Sequence, residues 1–238
     1  MFYYGYGFDS GYLLVIIAAI LSLVASSRVN STFKKYSKKH TVRGLTAESA
    51  ARSILDANGL HSVRIESIAG NLTDHYDPKA NVVRLSDSVR NSTSVAAVGV
   101  AAHEAGHAVQ HATGYAPIKV RNVLVPAANI GSMVGPYLII IGLLLSTASY
   151  FSDVLINVGI WFFSLAVLFQ LVTLPVEFNA SRRAINILSE GMYLESDEVP
   201  AVKKVLGAAA MTYVAAAAVS VANLLRFLLL AQNRRRRD

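Results

Sequence analysis

A chain of 238 residues with 53% hydrophobic and only 16% charged side chains, and a mean hydropathy of +0.43, is too apolar for an ordinary soluble domain. Its long uncharged runs indicate a membrane protein, and the net charge of +7 is then read as membrane topology before nucleic-acid affinity. The absence of cysteine excludes disulfides and thiolate metal sites, so any zinc must be held by His and carboxylate.

Met1 to Tyr12 is aromatic, with Phe2, Tyr3, Tyr4, Tyr6, Phe8 and Tyr12, a composition that favours the membrane interface. Leu13 to Ala25 is almost wholly apolar and is followed by Arg28, Lys34, Lys35, Lys38, Lys39 and Arg43. A signal peptide carries its positive charge before the apolar core, whereas here the charge follows it. Residues 1–27 are therefore expected to form an anchor with its N-terminus outside, and the positive-inside rule places the region from Arg28 at the cytoplasmic face.

Residues 28–122 are expected to carry the catalytic region, and Leu45 to Val120 is the most polar part of the chain. Thr46 can cap a helix through Ala50, Ile54 and Leu55 that stops at Gly59. Val63 and Ile65, then Val82, Val83 and Leu85, suggest two short strands on either side of the turn-rich Asp74-His75-Tyr76-Asp77-Pro78. Asn91 to Ser94 offers caps for the helix that follows. A strand shortly before that helix would have a use if its edge were free, because an extended peptide could pair with it. A small structural hairpin is the alternative.

The helix carries the run Ala102 to Val109, AHEAGHAV, with His103, Glu104 and His107. Residues four apart lie on one helical face, so two imidazoles can meet one metal while Glu104 serves as base beside it. A buried helix with two chance histidines is the alternative. His111 cannot complete the set from the same helix, because it lies about 12 Å along the axis from His103. The metzincin pattern also fails, since Gln110 and Thr113 stand where that class needs Gly and His.

A catalytic zinc takes three protein ligands, so a third must come from elsewhere. Val123 to Leu145 and Val154 to Leu174 are each near the ~20 residues that a membrane crossing requires, and residues 123–174 read as a transmembrane hairpin. Pro126, Gly135 and Pro136 are expected to kink its first helix. The link from Ser146 to Asp153 lacks Lys and Arg, whereas Lys119 and Arg121 precede the hairpin and Arg182 and Arg183 follow it. An even number of crossings returns the chain to the starting face, where Glu177 stands in a segment (175–204) whose helix Pro175 is expected to open. An interfacial ion pair with Arg121 or Arg182 is the alternative role for Glu177. Further on, Gly191 marks a turn and Pro200 a helix start. Residues 205–238 hold the apolar, Ala-rich Ala208 to Leu230, spanning or interfacial, and the basic run Arg234 to Arg237, suited to anionic headgroups.

The runs Leu72 to Pro78, Val83 to Ser86 and Val100 to Gln110, continued by the Glu177 segment and Ala208 to Ala215, resemble the bacterial YugP-type membrane zinc metallopeptidases over nearly the whole chain. More distantly, a zinc helix, a membrane hairpin and then a Glu ligand are similar to the HtpX heat-shock protease and the CAAX prenyl protease. The resemblance implies a gluzincin-like site in which His103, His107 and Glu177 bind Zn2+ and Glu104 is catalytic. Those distant relatives place an Asp four residues after the Glu, where this chain has Ser181, and a His-Pro element that has no His beside Pro200. Tyr213, Arg182 and His75 are the candidates for stabilising an oxyanion.

The expectation is a mainly α membrane protein: a zincin-like (gluzincin) α+β catalytic region with a small β-hairpin or sheet, plus three or four apolar membrane helices. Its function would be hydrolysis of peptide bonds at the cytoplasmic face of the cell membrane, with the bilayer and a peptide or membrane protein as partners and no nucleic acid. The alternatives are a non-catalytic zinc-stabilised scaffold and an intramembrane site-2-type metalloprotease. The latter fits poorly, since His103 lies between the Ser92 to Ser94 cap and the polar Gln110, His111 and Thr113. A transporter is weaker still, with Arg226 almost alone as an intramembrane charge.

Overall fold

The structure, a computed structural model, describes residues 10–145 and 150–235. The aromatic start before Ser10 and the link residues Ser146 to Ser149 lie outside the described residues. The elements are α1 (Ser10–Tyr36), α2 (Ala47–Ala57), β1 (Arg64–Ile68), β2 (His75–Asp77), β3 (Val82–Ser86), α3 (Val95–Ala112), α4 (Ala116–Leu144), α5 (Tyr150–Glu190) and α6 (Val199–Arg235). The chain is thus mainly helical with one small sheet. Its described residues fall into two compact units, one drawn from residues 10–24, 120–145, 150–173 and 213–235, the other from Ala25–Lys119 and Leu174–Thr212.

The first unit collects the apolar runs. Four helices, α1, α4, α5 and α6, are long and apolar enough to cross a membrane. Two helices in lipid gain little from hiding apolar surface and instead associate through small residues that let backbones touch. Here Gly131 and Gly135 of α4 face α5, where an added Cβ would meet the carbonyl oxygens of Phe162 and Gly159. At the other side, Gly11 lies against Arg226, and the Tyr12 ring stands 5.0 Å from the Arg226 guanidinium. Arg234 donates to the carbonyl of Gly142, close to the end of α4. The start of α1 and the end of α4 therefore both meet the second half of α6. By length and composition α6 is a candidate to cross a membrane, and Arg234 near its end lies beside α4.

The second unit is built on α2, α3 and the sheet. Thr46 caps α2 by accepting the Ser49 N–H, and Ala47, Ala50, Ala51, Ile54 and Leu55 form its buried face. Gly59 follows at φ +71°, a left-handed position suited to glycine. Ser94 caps α3 through the Ala97 N–H, and α3 is buried along most of its length by small residues, among them Ala97, Ala101, Ala102 and Ala105. With Ile54, Leu55 and Leu85 at 0% exposure, each large apolar side chain here contributes about 1.5–3 kcal/mol.

The sheet departs from the sequence expectation. Strand order is β1-β3-β2, with β1 parallel and β2 antiparallel to β3, so the two apolar strands do not form a hairpin. The turn-rich segment supplies the edge strand β2, and β3, the strand before α3, is central with no free edge. Polar side chains account for this. Arg84 of β3 donates to Asp77 Oδ2 at 2.9 Å and to His75 Nε2 at 3.3 Å. The Ser86 N–H and hydroxyl both donate to Asp74, at 2.8 and 3.0 Å. Side chains that signal a turn thus act as cross-strand ties.

The two prolines of α4, Pro126 and Pro136, lie within one continuous helix. Pro175 likewise does not open a helix but lies inside α5, which runs unbroken from Tyr150 to Glu190. Each proline removes one i→i−4 hydrogen bond, a loss that a long helix packed along its length can absorb.

Arg84 and the backbone N–H groups of Lys79 and Ala80 hold the Asp77 carboxyl down to about 2. A carboxylate depressed by folding contributes stability above its unfolded value near 3.8, and that contribution is lost as pH falls toward 2. In acid titrations of the purified protein, Asp77→Asn is expected to destabilise at neutral pH and to flatten the fall in stability between pH 4 and 2. An unchanged profile would show that the tie contributes nothing.

Candidate metal centre

Glycine at position 106 sets the distance between the two elements that build the site. A Cβ there would lie 2.9 Å from the Ala180 carbonyl oxygen of α5, so only glycine lets α3 and α5 come this close. His103 and His107, one turn apart on α3, then face Glu177 across the contact. His103 Nε2 is 3.2 Å and His107 Nε2 3.5 Å from Glu177 Oε2, and the two Nε2 atoms are 3.1 Å apart.

These separations can be tested against zinc. Ligand bonds of about 2.0–2.1 Å at the tetrahedral angle place ligand atoms about 3.3–3.4 Å from one another. The observed triangle matches one face of such a tetrahedron. The outer ring nitrogens show which way the lone pairs point. His107 Nδ1 is 3.0 Å from Gln110 Oε1, and His103 Nδ1 is 3.1 Å from Ser181 Oγ. The Gln110 amide is itself oriented, because its Nε2 donates to the Val176 carbonyl at 2.8 Å and to Asn179 Oδ1 at 3.0 Å. Its oxygen must therefore accept the His107 Nδ1–H, and the Nε2 lone pair is left aimed at the centre. Donor types, spacing and the His107 tautomer all suit zinc.

Electrostatics reinforce the arrangement. Burial opposes a protonated His107, yet the hydrogen bonds and negative charge of Glu177, with further help from Glu104 and Gln110, raise its pKa overall. A cation placed there is well compensated. Glu104, the next residue after His103, is nearly buried, and its Oε2 accepts the Tyr76 N–H of β2 at 3.0 Å. That N–H is turned away from β3, so the edge strand and the expected base are in direct contact. Asp74, at the start of β2, has its pKa raised by burial and in smaller part by Glu104, against the Ser86 hydrogen bonds.

The structure thus brings His103, His107 and Glu177 together as a possible metal site and sets Glu104 beside it. Glu177 partners the histidines rather than serving only in an interfacial ion pair. His111 packs edge-on against Tyr76, ring centres 5.7 Å apart. Of the oxyanion candidates, His75 is engaged by Arg84 and the Thr73 carbonyl, Arg182 is exposed, and Tyr213 belongs to the first unit. Gln110 was not evident as a site residue, although it lies three residues after His107 on the ligand face. Ser181, conspicuous in sequence as a departure, supports His103 and not Glu177.

A family model described as "Putative neutral zinc metallopeptidase" matches residues 11–232. The chain belongs to this family. It is also 47% identical over 225 residues, 94% of this chain and 98% of the other, to the "Putative membrane protease YugP" of Bacillus subtilis (strain 168). No solved structure matches it. The relative and the four apolar helices agree on a membrane protein, and membership in a zinc peptidase family accords with the His103, His107 and Glu177 triangle.

Replacing Gln110 by Leu removes the acceptor that fixes the His107 tautomer, and Ser181→Ala does the same for His103. Each is expected to weaken zinc binding about 10- to 100-fold, as measured by competition with a chromophoric chelator. Wild-type affinity in both variants would mean that neither side chain orients its ligand.

Proposed function

We propose that the protein is a zinc-dependent endopeptidase of gluzincin type that cleaves peptides or membrane proteins at the cytoplasmic membrane face. The observation that carries this reading is the division of labour among four side chains. His103, His107 and Glu177 form a three-ligand face, and Glu104 stands next to it with its carboxylate engaged by an edge strand. Structural zinc sites are closed by four protein ligands, whereas catalytic sites use three, which favours an enzyme over a zinc-stabilised scaffold.

When bound, zinc supplies Lewis acidity toward a carbonyl oxygen and lowers the pKa of a water molecule. The chain's own residues supply the rest. His103 and His107 present Nε2 to the centre, oriented through Nδ1 by Ser181 and Gln110, and Glu177 adds a compensating negative charge. Glu104 accepts the proton of the attacking water at its carboxylate and delivers it to the departing amine. The edge of β2 offers main-chain groups to an extended substrate.

The cations after the first apolar run and around the hairpin support a cytoplasmic site. A surface-facing zincin-like region is favoured over an intramembrane protease because α3, which carries both histidines, is not among the helices long and apolar enough to cross. Glu104→Gln is expected to keep zinc at wild-type affinity while peptide cleavage falls by three orders of magnitude or more. Glu177→Ala should lose zinc, and chelation of the wild-type protein should abolish a cleavage that added zinc restores. Zinc-dependent cleavage by purified Glu104→Gln protein would overturn the mechanism. Zinc binding with no hydroxamate affinity would instead favour the scaffold.

A further inference from the structure

The second unit contains a cavity of about 500 Å³ between the basic end of α1 and the first half of α6, made from residues that the metal centre does not use. On α1, Arg28, Thr32 and Lys35 follow one another at four and three residues, so they share one helical face. On α6, Lys204 and Met211 lie two turns apart, with Gly207 between them. Three cations line the cavity with the Thr32 hydroxyl and Tyr36, and no carboxylate does. Among the described residues, none of the three cations forms an ion pair. A Cβ added to Gly207 would meet nothing within 4 Å, so the space there is real.

Such a volume is in the range of small-ligand sites. Cations held on two helix faces with hydroxyl donors suit a phosphate, and Arg28 adds the planar fork that binds phosphate oxygens in pairs. The position in the chain indicates where that phosphate comes from. Arg28 lies three residues beyond the apolar run of α1 that ends at Ala25, and the apolar part of α6 begins just after Lys204. Met211, 48% exposed, adds an apolar wall. We propose that this cavity binds the headgroup phosphate of an anionic phospholipid.

The test uses the full chain in detergent, with phosphatidylglycerol, phosphatidylcholine and inorganic phosphate as probes, and counts bound lipid by native mass spectrometry. Phosphatidylglycerol should be retained in preference to phosphatidylcholine. Its affinity should fall about tenfold or more in the combined variant Arg28→Gln, Lys35→Gln, Lys204→Gln. The control Lys34→Gln, Lys38→Gln, Lys203→Gln removes the same charge from outside the cavity and should stay within about twofold of wild type. Gly207→Leu fills the cavity without changing charge and suits a helix better than glycine, so it should lower affinity as the first triple variant does. Equal losses in the two triple variants, or full retention in Gly207→Leu, would show diffuse surface attraction and overturn the site. Displacement of the lipid by inorganic phosphate at equal concentration would also overturn it, in favour of a free anion.

Discussion

Two imidazole nitrogens and a carboxylate oxygen held 3.1–3.5 Å apart repel one another unless a cation or a proton lies among them. Much of the second unit serves to hold that unfavourable grouping in place. Gly106 permits the helix contact, the Gln110 amide orients one ring, and Ser181 meets the other. Gln110 is fully buried and bonded to the α5 backbone, so the orientation of His107 is coupled to the position of α5 along α3. A shift of either helix would misalign a ligand and break these hydrogen bonds together.

The ligands stand on helices rather than loops, which limits their freedom to move. Glu177 belongs to a helix of 41 residues, two residues beyond a proline that in a shorter segment would mark a boundary. The Ser181 hydroxyl reaches His103, a neutral partner that supports the ring without adding negative charge to the centre.

Much of this was legible in the sequence because it depends on local spacing. The 46 and 94 caps, the apolar runs and the four-residue interval between His103 and His107 follow from helical geometry alone. Glu177 followed from counting membrane crossings. Strand pairing was not legible, since β1 and β3 are parallel and their partnership depends on a connection of some length. Asp74, His75 and Asp77 were misleading for a physical reason: residues that usually satisfy their own backbone in turns here satisfy a neighbouring strand. Gln110 was hidden by its ordinary side chain, whose role exists only once α5 is beside it. The cavity between α1 and α6 was equally invisible, because its cations come from segments more than 150 residues apart.

The outward N–H of Tyr76 is held by Glu104, and β2 is the edge of the sheet nearest that base. An extended chain that adds to this edge competes with Glu104 for the same proton donor. Docking and release of the carboxylate are therefore opposite sides of one exchange: a strand that takes the N–H leaves the Glu104 oxygen without its partner and ready for another. A small ligand at the metal centre that does not pair with the strand would leave that exchange unmade.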